Sequence, residues 1–361
     1  MLATAEMIDI GRGEPDVFGA FDARRAQFMA TPQEQRLYGR FSIGATVLLD
    51  APPEVSSRGE HLTNPSQLEP LPGEPEPGVL GFAYFRQEPT TNHLGKTRSV
   101  PYKVVVNRDG THLVAYEGAT VLPGEDPRVT RGVRMRGLGG KMHTGWLIST
   151  TVATPEVENP ERVKSTVQKV FWGVTLQELE QIGEGPEGQK NTTFCQAPGE
   201  TRLHVLTRLF PHISYGTITS PSGLTPEAIR RINEYVITSD TVPEGFHVGP
   251  NFSQIVAPGH MTIDKHEARS VVGESGRRSL HYRLGRYGFA LPTPGCARGR
   301  LVAVGANIDR SQFPEAAPRP SDANVESYHD VLYGSAGRRD AEYMLLGVAD
   351  NRVGLAKLRH F

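Results

Sequence analysis

The sequence predicts an all-β fold, and three observations carry that prediction. Short runs rich in β-branched and aromatic residues recur along most of the chain, each bounded by turn residues. The 361 residues include 39 glycines and 28 prolines, more than a helical protein tolerates and well suited to many turns. Between the runs almost nothing has helical periodicity. For about 300 residues of such strands, a β-propeller and a double sandwich are the architectures to choose between. No clean repeat period decides between them.

Residues 1–55 are expected to form a helical extension. Phe18, Phe21 and Phe28 are spaced by three and seven with charged residues between, as on one helix face. Thr31-Pro32-Gln33-Glu34 resembles a capped helix start. Residues 51–78 hold many Pro, Glu and Ser residues and read as loop, with Leu62-Thr63-Asn64-Pro65-Ser66 inside it. Strands follow at Val79–Phe85, Tyr102–Val106 and Thr111–Gly118, the last two joined by the turn Asn107-Arg108-Asp109-Gly110. Further strands are expected at Gly145–Ala153, Val167–Val174, Thr201–Leu206, Tyr215–Thr219 and Phe252–Ala257. The last are Leu280–Leu284, Leu301–Ala306, Val331–Ser335, Glu342–Val348 and Val353–Leu358. Two short helices are expected, at Leu176–Glu180 and at Thr225–Ile232, the second with Thr as N-cap and Pro at its first position.

The formal net charge of −1 argues against an electrostatic binder of nucleic acid or of a membrane surface. The N-terminus lacks a basic region followed by an apolar run, so no secretory signal is read there. No apolar stretch approaches the length of a membrane span. Cys195 and Cys296 are too few for a disulfide framework, and a cytoplasmic protein is the expectation. There is no close His/Cys pair with ligand spacing, no phosphate-loop lysine and no glycine-rich nucleotide fingerprint. Neither a metal nor another cofactor is expected.

The chain is organised around Leu122–Arg131, which packs Glu125, Asp126, Arg128, Arg131 and two prolines into ten residues. Pro127 biases Asp126 towards extended backbone. Neighbours in extended chain point to opposite sides, so one carboxylate faces a cleft while the other braces the turn. A carboxyl among guanidinium groups suits acid catalysis on an anionic substrate. The bland reading is a surface turn with an Asp–Arg pair.

Further landmarks stand in a definite order: Asn64-Pro65, Arg86, Glu125-Asp126-Pro127-Arg128, Gly185-Pro186 with Lys190, Gly259-His260, and Gly347-Val348-Ala349-Asp350. In this order, over residues 60–361, the chain resembles the β-mannoside phosphorylases. The stretch from Phe171-Trp172-Gly173 to Lys190 is similar to a divergent branch of them. That branch includes the trypanosomatid enzymes that transfer and phosphorolyse β-1,2-linked mannose in mannogen. The resemblance implies a five-bladed β-propeller over residues 56–361 with its active site in a central funnel. It implies Asp126 as the acid, relaying its proton through a mannosyl hydroxyl in some members. It implies Lys190 and His260 on phosphate, where the Tyr282 hydroxyl is a further candidate donor, and Asn64, Arg86, Arg128 and Asp350 on sugar. Two departures stand out. The Arg-Asn pair that many phosphorylases place on phosphate has no counterpart after Arg128, where Lys141–Gly145 stands instead. Lys190 is followed by Asn191-Thr192-Thr193, where bacterial relatives carry an acid and an arginine.

The chemistry asks for such a set. Inverting hydrolases need an acid and a carboxylate base to activate water. Phosphate arrives charged, so the base can be dispensed with and cations to hold the anion are required instead. Plainer roles stand beside these. Lys190 also reads as a solvated turn lysine, His260 as a buried histidine bonded to backbone, and Tyr282 as core. Asn64 also reads as an Asx-turn, Arg86 as a strand-end ion pair and Asp350 as a hairpin turn. The implied function is inverting mannosyl transfer on β-1,2-mannosides: reversible phosphorolysis giving mannose 1-phosphate, transfer from GDP-mannose, or both. The alternatives are an inverting β-mannoside hydrolase, with Glu88, Glu117 or Asp350 as base, and a catalytically inactive carbohydrate-binding propeller.

Overall fold

The computed structural model describes residues 31–33, 37, 41–90, 96–137, 139–156, 163–185, 187–209, 212–218, 223–229, 237–238, 246–272, 278–291, 300–308, 327–329, 332–336, 343–348 and 351–360. Strand β1 is Phe41–Leu49, and the single-turn helix α1, Pro53–Ser56, follows it. The first sheet runs β2 (Glu60–Thr63), β3 (Val79–Pro89), β4 (Arg98–Asn107) and β5 (Gly110–Ala115), with β6 (Leu122–Pro123) also pairing with β4. The second runs β7 (Glu125–Arg136), β8 (Met142–Pro155), β9 (Val163–Gly173) and β10 (Glu180–Glu184). The third runs β11 (Gln189–Cys195), β12 (Leu203–Leu209), β13 (His212–Ile218) and, after the short helix α2 (Pro226–Ile229), β14 (Ile237–Thr238). The fourth runs β15 (Phe246–Ala257), β16 (His260–Val272), β17 (Arg278–Ala290) and β18 (Arg300–Ile308), with β19 (Ser327–His329) parallel to β17. The fifth joins β20 (Leu332–Ala336), β21 (Tyr343–Val348) and β22 (Arg352–His360) to β1.

The fold is therefore all-β, and every strand pairing but that of β19 is antiparallel among the described residues. The pairing of β1 with β22, from Phe41 opposite His360 to Leu49 opposite Val353, ties the first described strand and the last into one sheet. This corrects one expectation: residues 41–49 lie within the segment expected to be a helical extension, yet form an edge strand. Their sequence, FSIGATVLL, is rich in β-branched and aromatic residues, which fit a pleated surface. Pro32, Gln33 and Leu37 are helical, in keeping with the capped start at Thr31.

Apolar side chains join the first four sheets in sequence and the fifth to the first. Phe82 and Tyr84 of the first sheet pack with Val129, Trp146 and Phe171 of the second. Met135 and Leu147 pack with Phe194 and Val205 of the third, and Leu206 and Tyr215 with Met261 and Phe289 of the fourth. Leu345, Val353 and Leu355 of the fifth pack back on Phe85 and Val104 of the first.

Thr225 caps α2 as expected, its hydroxyl accepting the Ala228 amide hydrogen at 3.3 Å. Leu176–Glu180 is a turn rather than a helix. Leu176 and Leu179 are buried in it against the first two sheets, and five residues are too few to carry a helix alone. No helix among the described residues is long and apolar enough to cross a membrane.

His204 on β12 shows what the packing demands. It is 2% exposed, and its Nδ1 lies 2.8 Å from the Tyr215 hydroxyl. Burial depresses its pKa to about 4, against a smaller opposing effect of Glu200. A histidine with a depressed folded pKa costs nothing above its unfolded value near 6.5. Below that pH the unfolded chain takes the proton first, so stability falls until the folded pKa is passed. Between pH 6.5 and 4 the loss from this one group is expected to be roughly 1–3 kcal/mol. His204→Gln, which does not titrate, should remove that component from urea-unfolding curves. Parallel pH dependences in parent and variant would refute the assignment.

Candidate active site

The first strands of four sheets turn buried polar side chains towards one another. Asn64 follows β2, Glu125, Asp126 and Arg128 begin β7, Lys190 and Asn191 begin β11, and Pro250 and Asn251 lie on β15. Arg86 and Glu88 reach the same place from β3 and His266 from β16. Among the described residues the only non-glycines with positive φ are Asn64 (42°), Asp126 (54°) and Asn191 (58°). All three belong to this cluster. Asn and Asp tolerate the left-handed region, and such backbone concentrates where a site needs side chains aimed unusually.

Asp126 is thus left-handed, not extended as expected. Pro127 disfavours the right-handed helical region for the residue before it, and the chain takes a bulge instead, seen as a register shift against β8 between Glu125 and Arg128. Gly124, with φ of 91°, makes the bulge possible, since a Cβ there would lie 2.4 Å from the Thr151 carbonyl oxygen. The bulge also overturns the expected division of labour, because both carboxylates face one cation. The Lys190 ammonium is 2.6 Å from Glu125 Oε1 and 3.3 Å from Asp126 Oδ2.

Each charge has a partner. The Asn64 amide donates to Asp126 Oδ1 at 3.1 Å, and Asn64 in turn accepts from the Thr63 hydroxyl. Arg86 Nη2 is 3.2 Å from Glu125 Oε2. The same guanidinium donates to Glu88 Oε2 through Nε at 2.9 Å and Nη2 at 2.7 Å. Arg128, 2% exposed, donates to the carbonyls of Pro127 and Pro250 and, at 3.4 Å, to Asn251 Oδ1. His266 Nδ1 lies 2.6 Å from that same Asn251 oxygen.

Burial alone would raise the Asp126 pKa, but Lys190, Arg86 and Arg128, with the Asn64 hydrogen bond, hold it below the ordinary carboxylate range. Burial alone would lower that of Lys190, but Glu125 and Asp126 outweigh it and keep the ammonium charged. Asp126 is ionised at neutral and mildly acid pH.

Asn64, Arg86, Asp126, Arg128 and Lys190 are brought together. Asp350 lies outside the described residues. His260 is not brought to this cluster: it starts β16 beside the Ala257 turn, six residues before His266, roughly 20 Å away along the strand. Tyr282 is near His266, with ring centroids 6.1 Å apart. Arg131 is on the rim near Glu69, at 4.0 Å. Lys141–Gly145 sits by the far turn of the β7–β8 hairpin, where Met142 pairs with Arg136. Glu117 is exposed just beyond β5.

Sequence reasoning missed Glu125 as a site residue, and with it Asn191, Arg208, Asn251 and His266. Asn191 and His266 meet over Gly249: a Cβ on Gly249 would lie 2.4 Å from the imidazole and 3.0 Å from the Asn191 amide nitrogen. Arg208 is the register partner of Lys190 on β12. The alternation of small polar residues in QKNTTFC was the available signal for β11, since every residue of that strand but Lys190 is buried.

No protein-family model matches the sequence, and a search of curated proteins gives no match. Solved structures do match. A GDP-Man-dependent mannosyltransferase from Leishmania mexicana superposes with a TM-score of 0.63 at 15% identity, over 89% of this chain and 90% of its own. A mannose phosphorylase from Leishmania mexicana, solved with a phosphate ion, gives 0.60 at 17% identity, over 94% of each chain. A hypothetical protein from Leishmania major gives 0.57 at 17% identity, over 94% of this chain and 92% of its own. At these identities the likeness is one of fold.

The packing over Gly249 makes a direct prediction. Gly249→Ala should displace the His266 ring and cost about 1–3 kcal/mol, the usual penalty for overpacking. Urea unfolding measures it; stability equal to the parent would mean that the ring is not held against this backbone.

Proposed function

We propose that the chain is a glycoside-active enzyme, a five-bladed β-propeller that transfers mannose with inversion on β-1,2-linked mannosides. Five sheets in chain order, the last closed by the first strand, support the blade count. The observation that carries the chemistry is Asp126, 3% exposed and ringed by Lys190, Arg86 and Arg128. One acid among cations is what a transfer to or from a phosphate needs. The fold shared with a mannosyltransferase and a mannose phosphorylase supports the substrate class.

In the proposed reaction a phosphate oxygen attacks C1 of the terminal mannose from the face opposite the glycosidic bond. The C1–O bond breaks, and its oxygen takes a proton from Asp126, directly or through a mannosyl hydroxyl. Mannose 1-phosphate and the shortened glycan leave, and Asp126 regains a proton from solvent. Synthesis is the reverse; with GDP-mannose as donor, GDP leaves instead. Asn64, Arg86, Arg128 and Asp350 hold sugar hydroxyls in this reading. Lys190 holds phosphate, with Tyr282 and with His266 in place of His260. The enzyme works in the cytoplasm, on oligosaccharide, phosphate and sugar-phosphate partners and not on nucleic acid or membrane.

A hydrolase finds less support. Of its base candidates, Glu88 is fully buried and bonded to Arg86, Glu117 is exposed outside the cluster, and Asp350 lies outside the described residues. Glu125 and Asp126 share one ammonium, whereas an inverting pair stands roughly 6.5–9.5 Å apart with water between.

Incubation with β-1,2-mannobiose tests the reading. Mannose 1-phosphate formed only when phosphate is present supports it; mannose released without phosphate would overturn it in favour of hydrolysis. Asp126→Asn keeps the shape but supplies no proton, so phosphorolysis should fall by roughly 10²–10⁴ while sugar binding persists. An aryl mannoside, whose leaving group needs less protonation, should be partly rescued. Near-full activity of Asp126→Asn would remove it from the chemistry.

A further inference from the structure

The acid of the proposed reaction has no proton to give in the ligand-free protein. Asp126 Oδ1 accepts from the Asn64 amide at 3.1 Å and Oδ2 faces the Lys190 ammonium at 3.3 Å. Both oxygens face donors, and each such contact favours the ionised carboxylate over the protonated acid. Withdrawal of either donor shifts the balance towards the protonated acid. Asn64 is 4% exposed with its side chain fixed from both sides, by the Thr63 hydroxyl and by Asp126 itself. Lys190 is different: its side chain is 21% exposed, on a flexible stem, and its tighter contact is with Glu125 at 2.6 Å.

A second cation stands beside it. Arg208 is half-buried and lies opposite Lys190 in the β11–β12 register. Its charge is close enough to work against that of Lys190. Among the described residues no hydrogen bond or ion pair engages the Arg208 side chain. Two like charges side by side repel, and an oxyanion between them removes the repulsion and accepts from both.

We propose that Lys190 is an anion-operated lock on Asp126: an oxyanion bound between Lys190 and Arg208 draws the ammonium off the carboxylate, and only then does Asp126 take a proton from water. The inference rests on the reading of Asp126 as the acid. It makes Lys190 and Arg208 residues that set specificity for phosphate over water as acceptor. Without the anion the acid stays locked and the glycoside is not cleaved, so a missing general base is only one of two guards against hydrolysis. Groups facing Asp126 from every side enter the balance: Lys190 from β11, Arg86 from β3, Arg128 and Glu125 from β7, and Asn64 after β2.

Sulfate is the probe, because it carries a fixed charge above about pH 3 and adds no titration of its own. The protein is labelled with aspartate carrying carbon-13 at the side-chain carboxyl, and Asp126→Asn assigns the signal. At pH 5 without sulfate the Asp126 signal should sit at its ionised position. Saturating sulfate should move it towards the protonated position. Arg208→Gln, at a half-exposed site, should fold normally and require at least about tenfold more sulfate, the ordinary loss for one charge-assisted contact. Lys190→Met should show the signal moved already without sulfate; should it fail to fold, the Arg208 variant still decides. If sulfate binds, as seen by other resonances, and Asp126 stays ionised, the lock is refuted while the proposed function stands. If Arg208→Gln binds sulfate as tightly as the parent, the site between the two cations is refuted. If neither sulfate nor phosphate binds, the anion-using reading falls together with the lock.

Discussion

Three sheets meet at one ammonium group. Lys190 comes from the third, Glu125 and Asp126 from the second, and Arg86, which braces Glu125, from the first. Two adjacent carboxylates this deeply buried cannot both stay ionised without cations at contact distance. The position of Lys190 at the start of β11 is therefore a condition for β7 to begin where it does. The network continues away from the site. Glu88, fully buried, holds Arg86 and lies 3.2 Å from His61 Nε2 on the neighbouring strand. Removing any member would leave its partner charged and dry, which costs several kcal/mol. The cluster is thus fixed by electrostatics as much as by packing.

How legible each strand was in the sequence depended on where it lies in its sheet. β3, β8, β13, β17 and β21 show the β-branched and aromatic runs that mark a strand, because their faces pack against neighbouring sheets. β7, β11 and β16 escaped. Their sequences, EDPRVTRGVRMR, QKNTTFC and HMTIDKHEARSVV, mix apolar residues with buried Asp, Asn, Thr, Lys and His. Hydrophobic periodicity reports burial only when what is buried is apolar. Here buried side chains bond to each other, as where the Thr192 and Thr207 hydroxyls meet at 2.8 Å. Nothing in a single sequence announces such pairing.

The polar cluster was legible in some of its charged residues and illegible in its backbone. Asp126 and Arg128 stood out as charged residues crowded into the stretch Leu122–Arg131, whereas Lys190 alone read as a solvated turn lysine and entered only through the resemblance. The rule that Pro127 pushes its predecessor to extended chain excluded the helical region correctly, but did not exclude the left-handed one. That single dihedral decides whether Glu125 braces the turn or shares Lys190. His266 was passed over for a similar reason. Gly259-His260 carries a recognisable local signal, while His266 sits in a run of alternating charges whose register against β15 only the folded sheet fixes.

Buried charge and left-handed backbone both work against stability, the backbone by roughly 1–3 kcal/mol per strained residue. Three such residues in one cluster would be hard to explain if the polar centre served packing alone. Replacing a buried ion pair by apolar side chains of similar volume is often neutral or stabilising. The rest of the molecule offers the compensation, since apolar clusters join most neighbouring sheets and β1 is fastened to the last strand. A scaffold closed in this way can hold opposed charges at fixed distances without collapsing on them. In the proposed reaction only Lys190, on its flexible stem, has to shift when an anion binds, while the backbone around it stays in place.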